Sequence, residues 1–214
     1  MASMGDKEER TMKMPIVLID NGHGWNTAGK RSPDGVFREW AWAREIAVNI
    51  VEDLKEQGVT AFLLVREDED ISLATRVARV EGYCRAYGSK NVILVSIHNN
   101  AAGDGSEWMS AKGWSAYTTP GETSSDKLAL HLYAEAQKAF EGRKIRIYQS
   151  TENPDWESNL YILRKTSCTA VLTENFFMDN REDLAYIRSR EGKKAVISCH
   201  VTGLKAYIEQ SITK

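Results

Sequence analysis

Apolar residues in this chain fall into short continuous runs that alternate with longer amphipathic segments. Runs rich in valine and isoleucine occupy residues 16–20, 92–97 and 170–173, and such runs are typical of parallel strands covered on both faces. Four other segments are shorter or weaker strand candidates, at residues 60–65, 114–118, 143–148 and 161–163. The pattern therefore predicts a sheet whose principal strands are buried.

Between these strands, apolar residues recur at intervals of three and four, which is the period of an amphipathic helix. Five helices follow from this pattern, at about residues 38–57, 72–87, 126–140, 181–188 and 193–212. Gly58 and Gly88 follow the first two helices, where glycine commonly ends a helix. Strands separated by helices imply right-handed crossovers. We predict a single α/β domain with a central, largely parallel twisted sheet and helices on both faces.

The composition is that of an ordinary globular domain. At 214 residues, with 42% hydrophobic and 27% charged residues, the chain can bury one sizeable core. Its 28 basic and 30 acidic side chains give a net charge of −2, which argues against a nucleic-acid partner. The cysteines, Cys84, Cys168 and Cys199, are odd in number and widely spaced. They indicate neither a disulfide framework nor a thiolate metal site.

The N-terminal segment differs from the rest of the chain. Residues 1–13 are mostly polar and are predicted to be a leader or a disordered tail, with residues 14–214 as the folded domain. The segment lacks the apolar core of a signal peptide, so the sequence leaves the localisation open. No stretch approaches the length of a membrane span, and no membrane insertion is expected. The pattern does not indicate an oligomeric state.

The three runs rich in valine and isoleucine end near His23, His98 and Glu174, respectively. In open α/β sheets the functional crevice lies beyond the carboxyl ends of the strands, so these side chains are expected to meet at one edge. A catalytic zinc commonly has three protein ligands, histidine or carboxylate, and keeps a fourth position for water. The leading prediction is therefore a hydrolytic metal site.

The two histidines need a third ligand, and four acidic residues are candidates: Asp20, Asp34, Glu39 and Glu45. Helical geometry favours Glu39, because it lies one turn before Ala43 on the inward face of the first helix. By itself, however, a glutamate in a first helical turn is often there only because the helix dipole favours it. The residues alone leave the third ligand open.

Other polar residues near this edge also have alternative interpretations. Glu174 caps a neighbouring helix or, if it lies within hydrogen-bond distance, accepts a proton from an activated water. Asp20 is predicted to orient an imidazole, as metal-binding histidines usually require. His131 and His200 lie within predicted helices and are expected to be ordinary, partly buried residues.

Four short motifs, in one order along the chain, resemble a known family. They are Asp20-Asn-Gly-His-Gly24, the helix-starting Glu39, Ser96-Ile-His-Asn-Asn100, and Leu163-Arg164 followed by Ala170-Val-Leu-Thr-Glu-Asn-Phe-Phe-Met-Asp-Asn180. From about Pro15 to the C-terminus, the chain resembles the zinc-dependent N-acetylmuramoyl-L-alanine amidases of the amidase-3 type, which cut bacterial peptidoglycan. The family patterns are D-P-G-H-G, a helix-starting glutamate, S-I-H-A-N, and L-R followed by P-A-V-L-V-E-x-G-F-x-S-N.

Carried over residue by residue, the resemblance implies that His23, Glu39 and His98 bind zinc and that Glu174 is the catalytic acid and base. It implies a zinc amidase catalytic domain at residues 14–214, acting on peptidoglycan or muropeptides. The reaction would be hydrolysis of the amide bond between N-acetylmuramic acid and L-alanine. The enzyme would act at the cell wall, whether secreted, periplasmic or released by a phage.

The chain departs from the family pattern at three places close to these residues. Asn21 replaces a proline, Asn99 replaces an alanine and Phe176 replaces a glycine. None of the changes removes an expected ligand. The loss of the glycine after Glu174 is expected to reshape the wall of the pocket.

Substrate contacts are predicted for Trp114, Asn159 and Arg164, at the same edge. Aromatic faces can support sugar rings or peptide stems, and an arginine can bind the carboxylate of a stem peptide. Two other functions stay open, a zinc peptidase or carboxypeptidase acting on stem peptides and a non-catalytic wall-binding module. The intact set of metal-binding and acidic residues argues against the binding module.

Overall fold

The computed structural model describes residues 14–150 and 152–212, and within these ranges six strands form one sheet. The strands are β1 (Ile16–Asn21), β2 (Ala61–Leu63), β3 (Val92–Asn100), β4 (Ser115–Thr118), β5 (Trp156–Glu157) and β6 (Thr169–Phe177). Their order across the sheet is β2-β1-β3-β6-β4-β5. The first four strands in this order are parallel, whereas β4 is antiparallel to β6. The predicted leader or tail at residues 1–13 lies outside the described residues.

Helices connect most of the strands and pack on the sheet. In the described part of the chain they are α1 (Glu39–Glu56), α2 (Leu73–Tyr87), α3 (Ser124–Ala139), α4 (Tyr161–Lys165), α5 (Arg181–Arg188) and α6 (Arg190–Ile212). A 3₁₀ turn at Ser89–Asn91 precedes β3. None of these helices combines the length and the apolar character needed to cross a membrane.

The sheet is covered on both faces, as the alternation of side chains along β1 illustrates. Val17 and Ile19 belong to an apolar cluster with residues of α1, α3 and α6, whereas Leu18 belongs to a second cluster with residues of α2 and α4. Successive strand residues point to opposite faces, so a continuous apolar run requires a helical layer on each side. The predicted α/β architecture with a largely parallel sheet is confirmed.

Two of the central strands are longer than the apolar runs that predict them. β3 continues through His98 to its end at Asn100, and β6 continues through Glu174 to its end at Phe177. His98 and Glu174 are paired across the ladder. The apolar pattern therefore marks only the buried part of each strand, while the hydrogen-bonded backbone extends into the polar edge.

Two of the weaker strand predictions are wrong. Residues 143–148 form no strand, and Ile145 makes only an isolated bridge with Trp114. Residues 161–163 lie in the short helix α4, which buries two apolar side chains. A short apolar run does not distinguish a strand from a buried helical turn, and here the tertiary packing decides.

A bulge in β6 directly follows Glu174. His98 pairs with Glu174 but Asn100 pairs with Phe177, so β6 contains one residue more than β3 over this interval. Phe176, in the bulge, has a left-handed backbone with a φ of 67°. This conformation costs an L-residue roughly 1–2 kcal/mol. The position is the one at which the amidase-3 pattern has glycine, which adopts such a φ freely.

Aromatic packing holds Phe176 in place. Its ring is fully buried and meets the rings of Phe140 and Tyr186 edge-on, at centroid distances of 5.0 and 5.2 Å. Edge-to-face pairs at this separation contribute about 0.5–1.5 kcal/mol each beyond their burial. The aromatic contacts therefore offset the backbone strain.

We predict that Phe176→Gly is more stable than Phe176→Ala, by about 1 kcal/mol in the free energy of unfolding. Both variants lose the ring, but only glycine adopts the positive φ without steric cost. Urea denaturation measures the difference. Phe140 is the matched control, since it is buried in the same aromatic cluster but has a φ of −114°. At position 140 the alanine variant should be more stable than the glycine variant. If the same variant were the more stable at both positions, backbone strain at Phe176 would be contradicted.

Candidate metal centre

Three structural elements bring His23, Glu39 and His98 together. His23 lies in the turn after β1 and has a positive φ of 61°. Glu39 is the first residue of α1, and His98 lies near the end of β3. Each residue offers one donor atom, and these atoms all lie within 4.8 Å of one another. Nitrogen and oxygen donors of this kind suit a zinc ion.

The carboxylate of Glu39 lies between the two histidines, with one oxygen near each imidazole. Its Oε1 lies 3.0 Å from Nδ1 of His98 and accepts a hydrogen bond from the amide of Asn99 at 2.9 Å. Its Oε2 lies 3.5 Å from Nε2 of His23 and is buried, with no hydrogen-bond partner among the residues that the structure describes. The Glu39 side chain is only 1% exposed, against 18% and 17% for the histidines. The carboxylate is thus at the base of the site and the two imidazoles face the opening.

The protonation of the two imidazoles differs because their contacts differ. Burial lowers the pKa of His23 to about 4, so this side chain is neutral near pH 7 and has the form that binds metals. Burial also opposes a charge on His98, but the hydrogen bond and the negative charge of Glu39 outweigh it and raise its pKa. The site therefore combines one neutral imidazole with a tightly coupled imidazole–carboxylate pair.

Backbone features shape the turn that carries His23. A Cβ atom on Gly22 would lie 2.2 Å from Cε1 of His98, so only glycine fits beside that imidazole. Arg44 donates from Nη1 to the carbonyl of His23 at 2.9 Å. Arg76 donates to the carbonyl of Asn21 at 2.8 Å. Two arginines thus fix the path of the chain on both sides of the glycine.

Within the described residues Asp20 forms no hydrogen bond with an imidazole, contrary to the prediction. Its carboxylate forms an ion pair with Arg76 and accepts a hydrogen bond from the hydroxyl of Ser96. Both Asp20 and Arg76 are buried. Asp20 therefore acts on the His23 turn through Arg76. The sequence contains a signal for this network, because Arg76 lies on the same helical stripe as the buried residues Val80 and Cys84.

Glu174 lies beside the three donors but is not one of them. The ladder between β3 and β6 pairs it with His98. One of its oxygens, Oε2, is buried and has no hydrogen-bond partner among residues 14–150 and 152–212. Burial raises the pKa of Glu174 to about 7. A carboxyl with this pKa can both accept and donate a proton near neutral pH.

The rival acidic residues and the other histidines lie elsewhere. Asp34 binds the hydroxyl of Ser32, and Glu45 forms an ion pair with Lys193. His200 is fully buried, with Nδ1 2.7 Å from the carbonyl of Val196, and His131 contacts Gln210. None of these side chains belongs to the three-donor group.

The position of Trp114 contradicts its predicted contact with substrate. Its side chain is completely buried, and Nε1 donates to Oδ1 of Asn175 at 2.9 Å. The ring packs against Tyr133 and Phe140. The residue immediately precedes a strand in the sheet, so its side chain enters the core and has no surface to offer a ligand.

Asn159 and Arg164 also lie apart from the metal centre. They line a cavity together with Lys90 and Thr169, at the amino ends of β3 and β6. The histidines line a different cavity of about 360 Å³, whose apolar part includes Leu160, Ile162 and Leu172. Residues around the start of α4 thus line the histidine cavity, although the sequence pattern did not predict them there.

Comparison with known proteins supports one family. Residues 17–206 match the family described as N-acetylmuramoyl-L-alanine amidase. The chain is 24% identical over 199 residues to the endolysin of Bacillus phage SPP1, covering 88% of this chain and 64% of that protein. It is 23% identical to the N-acetylmuramoyl-L-alanine amidase CwlM of Bacillus licheniformis, covering 89% of this chain and 68% of the relative. The chain thus spans about two thirds of the length of these relatives.

Solved structures show the same fold. The catalytic domain of CwlV, an N-acetylmuramoyl-L-alanine amidase from Bacillus (Paenibacillus) polymyxa, superposes with a TM-score of 0.76 at 22% identity, covering 92% of this chain and 99% of that one. The N-acetylmuramoyl-L-alanine amidase from Clostridium difficile 630 gives a TM-score of 0.77 at 23% identity, with coverages of 91% and 97%. Together with the match over residues 17–206, these findings show that the chain belongs to the N-acetylmuramoyl-L-alanine amidase family.

Proposed function

We propose that this chain is a peptidoglycan hydrolase that uses zinc to cleave the amide bond between N-acetylmuramic acid and L-alanine. The observation that carries the proposal is the convergence of His23, Glu39 and His98 within 4.8 Å beside the buried Glu174. In this proposal residues 14–214 form the catalytic domain, and the enzyme acts on peptidoglycan or muropeptides at the cell wall. Membership of the amidase family supports the choice of bond.

The donor set fits a zinc ion. Two imidazoles and one carboxylate are a common set of protein ligands in catalytic zinc sites. The buried Oε2 of Glu39, which has no hydrogen-bond partner, is an oxygen that a cation would satisfy. When bound, zinc supplies Lewis-acid chemistry, because it lowers the pKa of water and polarises a carbonyl group.

Glu174 is proposed to transfer the proton. Its carboxylate takes a proton from the attacking water and gives it to the departing amine of L-alanine, which would otherwise leave poorly. A pKa of about 7, raised by burial, allows both steps near neutral pH. The backbone pairing of Glu174 with the metal-binding candidate His98 supports this role.

The cavity beside the histidines is proposed to receive part of the substrate. Its apolar side chains come from the residues around the start of α2, from the residues around the start of α4, and from Leu172 of β6. Trp25 is 58% exposed near the His23 turn and is available to support a sugar ring or a peptide. Asn159 and Arg164 line another cavity and are left out of the proposed substrate contacts.

We predict that the wild-type protein binds about one zinc ion per chain and that His98→Ala and Glu39→Gln lose it. Each variant removes one of three donors, and zinc bound by the remaining two should be lost on dialysis. Elemental analysis after dialysis measures the zinc content. His131→Ala is the matched control, because this histidine contacts Gln210 outside the site. Equal zinc content in all four proteins would contradict the assigned ligands.

A second prediction separates metal binding from proton transfer. Glu174→Gln should keep its zinc and lower kcat by ~10²–10⁴-fold, because the amide retains the shape of the side chain but cannot accept the proton. Turnover of a soluble N-acetylmuramoyl-L-alanyl peptide gives kcat. Glu182→Gln, at an exposed ion pair with Lys112, should retain full activity. Normal turnover by Glu174→Gln would remove Glu174 from the mechanism.

The bond that is cut distinguishes the proposed function from its rivals. Digestion of purified cell walls should release peptides with new L-alanine amino termini and no new reducing sugars. New amino termini at internal stem-peptide residues would instead indicate a peptidase or carboxypeptidase. Binding to walls without any cleavage by the zinc-loaded protein would indicate a wall-binding module.

A further inference from the structure

A buried hydroxyl close to Glu174 has no hydrogen-bond partner. Ser115, the first residue of β4, is fully buried, and its Oγ contacts no donor or acceptor among the described residues. An unpartnered buried hydroxyl destabilises the folded state. Folded proteins keep few such groups, so this serine requires an explanation beyond packing.

The ladder between β4 and β6 places Ser115 directly opposite Glu174. Residues that are opposite in an antiparallel ladder project from the same face, with Cβ atoms ~4.5–5.5 Å apart. The adjacent residues Trp114 and Asn175 project to the other face, where the indole Nε1 donates to Asn175 at 2.9 Å. The hydroxyl of Ser115 therefore lies on the face that carries the carboxyl of Glu174.

Glu174 has a complementary feature. Its Oε2 is buried and has no hydrogen-bond partner in the described part of the chain. β6 lies between β3 and β4, so His98 is the ladder neighbour of Glu174 on one side and Ser115 is its neighbour on the other. Burial raises the pKa of Glu174, and the charges of the nearby cations, Lys30 and Arg146, act in the opposite direction. Ser115 is the residue of the adjacent strand that places a hydroxyl on the same face as Glu174, and the two side chains are not hydrogen-bonded to each other in the described structure.

We propose that Ser115 is a positioning residue for Glu174. Its hydroxyl donates a hydrogen bond to Oε2 while the carboxyl transfers the proton, and this contact directs the other oxygen, Oε1, toward the cleft. The terminal torsion of a glutamate is broad, so the carboxyl rotates unless one oxygen is held. The inference rests on the proposed function, because it assigns Ser115 to the same proton transfer. A serine kept despite a cost in stability is typical of functional sites.

The test compares Ser115→Ala and Ser115→Thr in the full zinc-loaded chain, with a soluble N-acetylmuramoyl-L-alanyl peptide as substrate. Ser115→Ala should lower kcat by about 10- to 100-fold, the effect of losing a hydrogen bond to a charged group, with KM and zinc content unchanged. Its melting temperature should stay the same or rise, because the unpartnered hydroxyl is gone. Ser115→Thr keeps the hydroxyl and should recover most of the lost kcat.

Ser125→Ala is the matched control. Ser125 is a buried serine whose Oγ accepts a hydrogen bond from the amide of Ala170 at 3.0 Å, in the amino-terminal part of β6. Its removal should lower the melting temperature and leave kcat unchanged. Ser115→Ala is thus expected to lower turnover without loss of stability, and Ser125→Ala to lower stability without loss of turnover.

Four results would overturn the positioning role. An unchanged kcat for Ser115→Ala beside an active wild type would remove Ser115 from the mechanism and leave the proposed function intact. A lower melting temperature with loss of zinc would show that the serine is structural, and failure of the threonine variant to restore kcat at a normal melting temperature would exclude the hydroxyl. If the zinc-loaded wild type itself cleaves no substrate, the proposed function fails and the role of Ser115 fails with it.

Discussion

The in-register parallel pairing of β1, β3 and β6 is the constraint on which the site depends. Asn21 pairs with Ile97, and His98 pairs with Glu174, so the three strands reach the same edge at the same level. A shift of one residue in β3 would turn His98 to the opposite face and separate it from Glu39. The two helical layers bury the strands on both faces and hold this register. Rigid strands can position donor atoms more accurately than loops alone.

The buried carboxylate of Glu39 imposes a second constraint, which is electrostatic. Burial alone would raise its pKa, but the hydrogen bond and the charge of His98 lower the pKa below its usual value. The amide of Asn99 adds a further donor to the same oxygen. The helix that begins at Glu39 cannot move without breaking these contacts. The start of α1 is thus tied to the end of β3 by charge as well as by packing.

The hydrophobic pattern of the sequence predicts the strands and helices of this protein better than it predicts which side chains surround the site. The principal strands and the longer helices have strong periodicity, and the inward face of α1 correctly favours Glu39 as a neighbour of the histidines. Trp114, Asn159 and Arg164 could not be placed in this way, because their surroundings depend on the order of strands in the sheet. Ser115 becomes visible only when β4 is known to run antiparallel beside β6. Arg76, by contrast, is a charged residue on a buried stripe and could have been found from the sequence.

The replacement of glycine by Phe176 has a consequence for how this chain can change over evolution. The phenylalanine is joined to Phe140 and Tyr186 by close ring contacts, so each of the three residues now limits what the others can become. A return to glycine would leave a void between the two remaining rings and would need compensating changes at both. Phe176 is therefore coupled to its two aromatic neighbours. A backbone shape that glycine adopts freely is here maintained jointly by three side chains from separate parts of the chain.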